Sequence, residues 1–419
     1  MVLCLDMGLL YNIGIRCYSA AIALASPFNR KARLRHRGGR EALHHIEESM
    51  RDVEGHIVWL HAASLGEFEQ GRPIIERIKA EKPETVVVLT FFSPSGYEIR
   101  KGYPCADHIF YLPSDTPHNV RRFLDAIDPD VAIFVKYEFW LNYLDGLRRR
   151  QIPTYLVSAI FRPTQVHFRP WGAPWRRALE TYRHVFVQDE ASRTLLEGVG
   201  YRGSIVAGDT RFDRVAAIAK AAREIPIIER FRGDGDLFVA GSTWGKDEKI
   251  LAELINHNPS VRFVIAPHEI DEERIKWLDA NIKGGVARYT RSTPDDDFST
   301  TQLLVLDTIG LLSSAYGYAR WAYIGGGFGR GIHNTLEAAT FGLPVAFGPN
   351  YKKFREARDL IAVGAARSIS SAEELEAWFA PLATDGEALQ KASSSARRYT
   401  EEQCGATDTI ISNILSDWR

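Results

Sequence analysis

Short apolar runs alternate with amphipathic stretches along most of this chain. Residues 57–60, 85–90, 108–112, 131–135, 154–158, 184–188 and 204–207 read as strands, and most segments between them carry helical spacing or turn residues. After a less regular stretch, 211–236, a second series follows at 237–240, 262–266, 287–289, 303–306, 321–324 and 345–347. Such alternation predicts parallel sheets covered by helices on both faces, and two series predict two Rossmann-like halves of an α/β protein. The expected division is 41–208 for the first half and 209–385 for the second, with 386–419 as C-terminal helices. Ligands of such sheets bind beyond the carboxyl ends of the strands, so two facing sheets would define a cleft.

The first forty residues break this rhythm. Residues 1–27 are mostly apolar but interrupted by Asp6, Asn12 and Arg16, and a basic run follows: Arg30, Lys31, Arg33, Arg35, Arg37 and Arg40. A signal peptide carries its positive charge before the apolar stretch, so this order argues against secretion. Three readings stay open: a marginal membrane span, a helix lying in the interface beside acidic head groups, or a buried first helix. Attachment from the cytoplasmic side fits the basic run best, which makes residues 1–40 a membrane-associated segment with an anionic membrane surface as partner.

Composition narrows the function classes. With 419 residues, net charge −1 and 45% apolar residues, the chain suits two soluble domains, and neither disorder nor nucleic-acid binding is implied. Cys4, Cys17, Cys105 and Cys404 are scattered without metal or disulfide-framework spacing, as in a reducing compartment. Asp295, Asp296 and Asp297 read as a solvated charge run, and no His/Cys/carboxylate cluster has metal-ligand spacing, so neither metal nor cofactor is expected.

Candidate chemistry gathers at the predicted strand ends. The stretch 321–350 reads strand, glycine loop (Gly325, Gly326, Gly327, Gly329, Gly331) and helix from Leu336, an arrangement in which backbone N–H groups and a helix terminus suit an anionic nucleotide. No acid follows where a dinucleotide's ribose would need one, so a nucleotide other than NAD is expected. In the first half, Glu67 follows strand 57–60 and reads either as a general base or, three residues after Ser64, as part of a capping box. A helix N-terminus beside it would keep the carboxylate ionised. Ser93, Ser95 and Gly96 suit an anionic group or a helix cap, and Glu138 follows the apolar strand 131–135 as a candidate or as a first-turn helix carboxylate. Residues 159–177 mix Arg162, His167, Arg169, Arg176 and Arg177 with Phe161, Phe168, Trp171 and Trp175, which fits a phosphorylated, greasy substrate, a membrane surface or a solvated basic face. Arg211, where the chain passes from one half to the other, could offset charge on a leaving phosphate. Ser242 and Thr243 suit phosphate again, and His268 ends the next strand.

These residues carry a family resemblance. H-A-A-S-L-G-E-F from His61, G-D-T-R-F-D from Gly208, A-G-S-T-W with A-P-H-E, L-D-T-I-G, and G-G-G-F-G-R-G-I-H-N-T-L-E-A-A followed by G-L-P-V-A-F-G-P together resemble the 3-deoxy-D-manno-octulosonic acid (Kdo) transferases of lipopolysaccharide synthesis. The ordered set spans nearly the whole chain, including the apolar N-terminus and the basic run. It implies a glycosyltransferase B fold at the cytoplasmic face of the inner membrane, with the lipid A precursor (lipid IVA) held by the first domain and CMP-Kdo by the second. It puts the catalytic base on Glu67 and the charge-stabilising positions on Glu138 and Arg211. Nucleotide contacts fall on Pro267, His268, Ile309, Gly310, Leu311, Asn334, Thr335, Leu336 and Glu337, with Ser95, Gly96, Ser242, Thr243, Gly326 and Gly327 as secondary candidates. Arg211 stands where the family usually has lysine, Leu311 where it has glutamate, and His268 where arginine is common. Transfer by direct displacement with one base implies inversion and no metal. On the same fold, a non-catalytic sugar-nucleotide or phosphoglycan binding protein and a nucleotide-sugar epimerase are the competing classes.

Overall fold

The computed structural model describes residues 7–418. Within it the chain forms two compact units, one running to Asp213 and resuming at Cys404, the other Arg214–Gln403.

The first unit is built on seven parallel strands: β1 (Ile57–Ala62), β2 (Val86–Phe91), β3 (His108–Tyr111), β4 (Val131–Val135), β5 (Thr154–Ala159), β6 (His184–Val187) and β7 (Ser204–Val206). Their order is β3-β2-β1-β4-β5-β6-β7, so the direction of winding reverses between β1 and β4, where such sheets bind ligands. Every residue of β1 is buried, as the apolar run requires of a strand covered on both faces. The two-residue period divides that strand: Ile57 and Trp59 join one core layer, Val58 and Leu60 the other. His61 falls on the face of Trp59, opposite Thr90 of β2 and Phe134 of β4. The second layer is completed by Ile410, Ile411 and Ile414 of the helix Ala406–Ser416. Asp213 fixes this return of the chain, accepting bonds from Gly405 N (2.6 Å), Thr407 N (2.6 Å) and Thr407 Oγ1 (2.7 Å).

Two helices precede the sheet. Met7–Ala25 is apolar but no part of its Gly8–Ala25 stretch is buried, and Leu9, Leu10, Ile13 and Leu24 stay exposed, so the ordinary buried first helix is excluded for the described residues. The helix is docked along one edge only: Tyr11 Oη donates to the buried Asp115 at 2.6 Å. The basic run forms the start of the second helix, Arg30–Ser49, with Asn29 Oδ1 accepting from Lys31 N and Ala32 N. Arg33 reaches back to the carbonyls of Ser26 and Pro27, which have no intrahelical partners at the end of the first helix. The buried face of the second helix is Arg35, Ala42, Leu43 and Ile46, a helical stripe with one guanidinium in it. Residues 1–6, including Asp6 and Cys4, lie outside the described part.

The second unit has seven parallel strands as well: β8 (Leu237–Thr243), β9 (Arg262–Pro267), β10 (Gly285–Arg288), β11 (Thr301–Val305), β12 (Trp321–Ile324), β13 (Val345–Phe347) and β14 (Ala366–Ser368), in the order β10-β11-β9-β8-β12-β13-β14. Winding reverses between β8 and β12. The two-Rossmann α/β architecture is therefore as the apolar pattern predicts, and β14, an edge strand of Ala-Arg-Ser, is the one that pattern misses.

Candidate active site

At the carboxyl end of β1 the chain turns at Ala63 and Ser64 into the helix Leu65–Glu81, which puts Glu67 in its first turn. Ser64 makes no side-chain cap bond, so the capping-box reading of Ser64 and Glu67 does not hold. Glu67 Oε2 is buried without a hydrogen-bond partner. Burial, and then the neighbouring Glu138 carboxylate, push the Glu67 pKa up, while His61, Lys136 and the Ala63 backbone pull less strongly the other way. Desolvation thus outweighs the helix terminus in setting the direction of the shift. A carboxylate of raised pKa is the stronger proton acceptor.

Glu138 comes from the loop after β4. It is buried and precedes the helix Leu141–Arg149 rather than lying in its first turn. Its Oε2 lies 3.2 Å from His61 Nε2 and also accepts from Trp140 Nε1, and its backbone carbonyl accepts from Tyr182 Oη at 2.5 Å. On the far side of the imidazole, Nδ1 is 2.9 Å from Thr90 Oγ1, which itself accepts from Trp59 Nε1 at 2.8 Å. Nδ1 also lies 3.1 Å from the Thr90 carbonyl oxygen, so Thr90 holds this nitrogen with its hydroxyl and its carbonyl while Glu138 holds the other. The two-residue period of β1 is what aligns Trp59 and His61 on Thr90.

Arg211 opens the helix Thr210–Lys220. Its Nε (2.9 Å) and Nη2 (2.8 Å) both donate to Asp209 Oδ2, whose other oxygen accepts from Gln70 Nε2 at 3.2 Å, so the guanidinium is held in a fixed plane. Ser93 caps the helix Pro94–Arg100 by accepting from Ser95 N, and Ser93 Oγ and Ser95 Oγ are 2.9 Å apart. Gly96 is required by packing, since a Cβ there would lie 2.2 Å from the Phe91 ring. In the Arg/aromatic stretch, His167 is not part of a basic surface. It is buried with its ring 4.3 Å from that of Phe139, and burial followed by Arg176 lowers its pKa to about 4. Arg176 Nη1 binds the carbonyls of His167 and Arg169, while Trp171 is exposed.

In the second unit the glycines of 325–348 mainly let backbones approach each other. A Cβ on Gly325 would meet the Ser242 carbonyl at 2.2 Å, and one on Gly327 would meet Gly348 Cα at 2.5 Å. The Gly326 N–H, expected to face a phosphate, donates instead to Asp247 Oδ2 (3.0 Å), and that buried carboxylate also takes Tyr323 Oη (2.7 Å) and Trp244 N (2.8 Å). The Thr243 hydroxyl likewise turns inward, donating to Glu248 Oε1 at 2.9 Å from a fully buried side chain. Ser242 stays half-buried at the strand end, with its φ of 53° in the left-handed region. The helix after the glycines is short, Leu336–Thr340, which limits its dipole. Thr335 and Leu336 are fully buried, Leu336 N donates to Asn334 Oδ1 at 3.1 Å, and Asn334 is exposed.

Two polar groups flank the carboxyl end of β8. On one side, Glu337 accepts from Asn334 Nδ2 (3.0 Å) and Ser313 Oγ (2.9 Å), which ties 334–337 to the segment following Ile309, Gly310 and Leu311. Ile309 is almost fully exposed and Gly310 has φ 92°. On the other side, His268, next to Pro267 at the end of β9, stacks on His333 at 4.3 Å and lies 4.8 Å from Trp244, whose Nε1 donates to His333 Nε2 at 3.2 Å. Burial and His268 lower the His333 pKa to about 4, so this ring is neutral at physiological pH. A cavity of about 730 Å³ opens here, lined by these three rings with Lys246, Phe328 and Arg330. Sequence reasoning assigned no role to His61, His333, Lys246 or Arg330. The one available signal was position, a histidine at a strand end and another between a glycine loop and a helix. Asp296 and Asp297 bond locally to Thr293 and Ser299.

Comparison with known proteins gives a consistent result. Residues 32–214 match the family model of the 3-deoxy-D-manno-octulosonic-acid transferases (kdotransferases). The chain is 26% identical over 368 residues to the 3-deoxy-D-manno-octulosonic acid transferase of Haemophilus influenzae, covering 84% of this chain and 85% of that protein. For the Bordetella pertussis enzyme of the same name the identity is 27% over 379 residues, covering 86% and 87%. Among solved structures, UDP-GlcNAc 2-epimerase from Neisseria meningitidis aligns with a TM-score of 0.61 at 16% identity, over 86% of this chain and 100% of the other. MurG of Acinetobacter baumannii aligns with a TM-score of 0.53 at 15% identity, over 87% and 100%. At these identities the structural likeness speaks for the fold alone, which is that of the glycosyltransferase B proteins.

Proposed function

We propose that this chain, which carries the Kdo-transferase family domain over residues 32–214 and is homologous to such enzymes across most of its length, moves Kdo from CMP-Kdo to a lipid A precursor of the lipid IVA type. The observation that carries the reading is Glu67: a carboxylate with an unpartnered buried oxygen and a raised pKa, at the switch point of the sheet beside the His61–Glu138 pair. Glu67 removes the proton of an acceptor hydroxyl as that oxygen bonds to the anomeric carbon of Kdo. The bond from that carbon to the CMP phosphate oxygen breaks, and CMP leaves with the bonding pair. Displacement from the side opposite the leaving group inverts the anomeric configuration. Glu138 favours the positive charge that develops on the sugar, and Arg211, held planar by Asp209, favours the negative charge building on the phosphate.

In this reading the nucleotide is held by the second unit. Pro267 and His268 flank the phosphate and sugar end, and the exposed loop Ile309, Gly310 and Leu311 with Asn334, Thr335, Leu336 and Glu337 receives the cytidine. Lys246 and Arg330 supply cationic partners near His268. The acceptor's acyl chains stay in a bilayer, so the exposed apolar helix Met7–Ala25 and the basic start of the next helix rest on the cytoplasmic face of an anionic inner membrane. Incubating the chain with CMP-Kdo and lipid IVA, and following CMP release together with the anomeric configuration of the product by NMR, tests the proposal. No acceptor-dependent CMP release, or retention at the anomeric carbon, overturns it.

A further inference from the structure

The first helix, Met7–Ala25, meets the first unit along one stripe. Tyr11, Asn12, Ile15, Ser19 and Ile22 are half-buried at helical spacing, while Leu9, Leu10, Ile13 and Leu24 stay exposed. The polar end of that stripe lands on the start of the helix Leu141–Arg149. The N-cap of this helix is Trp140, whose side chain makes no cap bond, so the first N–H groups must find acceptors elsewhere.

They find them far away in the sequence. Leu141 N donates to Tyr11 Oη at 3.3 Å, Asn142 N to Asp115 Oδ2 at 3.2 Å and Tyr143 N to Asp115 Oδ1 at 3.0 Å. Tyr11 Oη in turn donates to Asp115 Oδ2 at 2.6 Å, so one hydroxyl both receives from the helix start and steadies the carboxylate that caps it. Asn142 Nδ2 adds bonds to Asn12 Oδ1 (2.9 Å) and to the Asp115 carbonyl (2.6 Å).

Directly before this cap lies the loop that carries Glu138. It leaves β4 at Lys136, a non-glycine residue with φ 73°, and ends at Trp140, whose Nε1 donates to Glu138 Oε2. A loop that opens on a residue in the left-handed region keeps its shape only while its other end is held. The first helix touches that end a second time: the Tyr18 ring stacks on Phe92 at 6.1 Å, and Phe92 lies 5.0 Å from Trp140.

We propose that Tyr11 is a positioning residue for Glu138: its hydroxyl completes the cap that fixes Trp140, and Trp140 fixes the carboxylate. The helix exposed for membrane contact is thereby also part of the scaffold of the transfer site. The proposal rests on the reading of Glu138 as a group of that site, whereas the hold on the loop can be measured without turnover.

Tyr11→Phe in the full chain removes the hydroxyl and keeps the ring. Amide hydrogen exchange over residues 136–145, followed by mass spectrometry, is expected to speed up roughly tenfold, as loss of a hydrogen bond to a charged group allows. On detergent-dispersed lipid acceptor, kcat is expected to fall roughly tenfold, with the KM for CMP-Kdo and flotation on anionic vesicles unchanged. Added to Glu138→Gln, the same change is expected to cost little more, because the effect runs through that carboxylate. Leu24→Ala, on the exposed face of the same helix, is expected to leave the exchange where it was. Unchanged exchange in Tyr11→Phe overturns the proposal, as does equal acceleration in Leu24→Ala, which would make the effect a general loosening of the helix. A full tenfold further loss of kcat in the Glu138→Gln background overturns it too, since Tyr11 would then act on something else. Lost flotation with normal kcat in detergent overturns it in favour of a plain anchor. A chain that shows the exchange change yet transfers nothing refutes the proposed function and leaves the hold of Tyr11 on the loop.

Discussion

His61 Nε2 lies 3.2 Å from Glu138 Oε2, and the imidazole has no exposed surface. The contact is made inside the sheet, so it is set by strand register and not by a mobile side chain. His61 also lowers the pKa of Glu67 across the site. In His61→Phe, which fits among Phe134 and Trp140, Glu67 loses that pull and its pKa rises further. The acid limb of the kcat–pH profile should move to higher pH, with the KM for CMP-Kdo unchanged. An unmoved limb would mean that the histidine is only packing.

Glu67→Gln removes the proton acceptor and keeps the shape. Turnover should fall on the order of a hundredfold or more, with CMP-Kdo binding retained in a calorimetric titration. Near-normal turnover in this variant removes Glu67 from the role of base.

The same carboxylate makes a stability prediction of definite sign. Its folded pKa is raised above the ordinary value of 4.5, so the folded state holds the proton more tightly than the unfolded one. Its favourable contribution is therefore complete below pH 4.5 and is lost as pH rises through the folded pKa. At neutral pH Glu67→Gln should melt at a higher temperature than the intact chain, and the gain should vanish in acid. Glu138→Gln, which removes the nearby charge that raises Glu67, should shift the acid limb of activity downward.

His333 titrates in the opposite sense. Its pKa of about 4, against an ordinary 6.5, means that the folded state binds its proton less readily than the unfolded chain. The stability it contributes is present above pH 6.5 and is lost as pH falls toward 4. The melting temperature of the intact chain should drop over this window by more than that of His333→Phe. Equal slopes would dissociate the stacked His268–His333 pair from acid sensitivity.

Removing residues 1–27 takes away the exposed apolar helix and the Tyr11 bond to Asp115. Flotation with anionic vesicles should weaken, and activity on lipid acceptor in membranes should fall much more than on detergent-dispersed acceptor. Each basic residue left near anionic lipid contributes roughly 1 kcal/mol before screening, so high salt should deepen the loss. If the truncated chain floats as well as the intact one, the membrane contact lies elsewhere, with exposed Trp171 the next place to look.

Most of the fold is legible because its strands are covered on both faces and read as continuous apolar runs, as 131–135 does. β14 escapes because an edge strand of Ala-Arg-Ser has one covered face and three residues. Glu67 and Glu138 stand out as acids directly after apolar strands. His61 does not, since its meaning depends on the register that sets Thr90 beside it, a long-range fact. The glycines of 325–348 signal close approach, but not whether the approaching group is a phosphate or another backbone. Ser242 and Gly348 turn out to be the neighbours.

The helix Ala406–Ser416 closes the layer under β1, yet the ribosome makes it only after the whole of Arg214–Gln403. While the second unit is being synthesised, the helix Leu65–Glu81, which itself covers β1, lacks the packing of Ile410, Ile411 and Ile414. The nascent first unit thus waits with an apolar groove open to solvent for the length of a domain's translation. In that window a holding chaperone would find its handle, and a premature stop codon would leave a protein prone to aggregate.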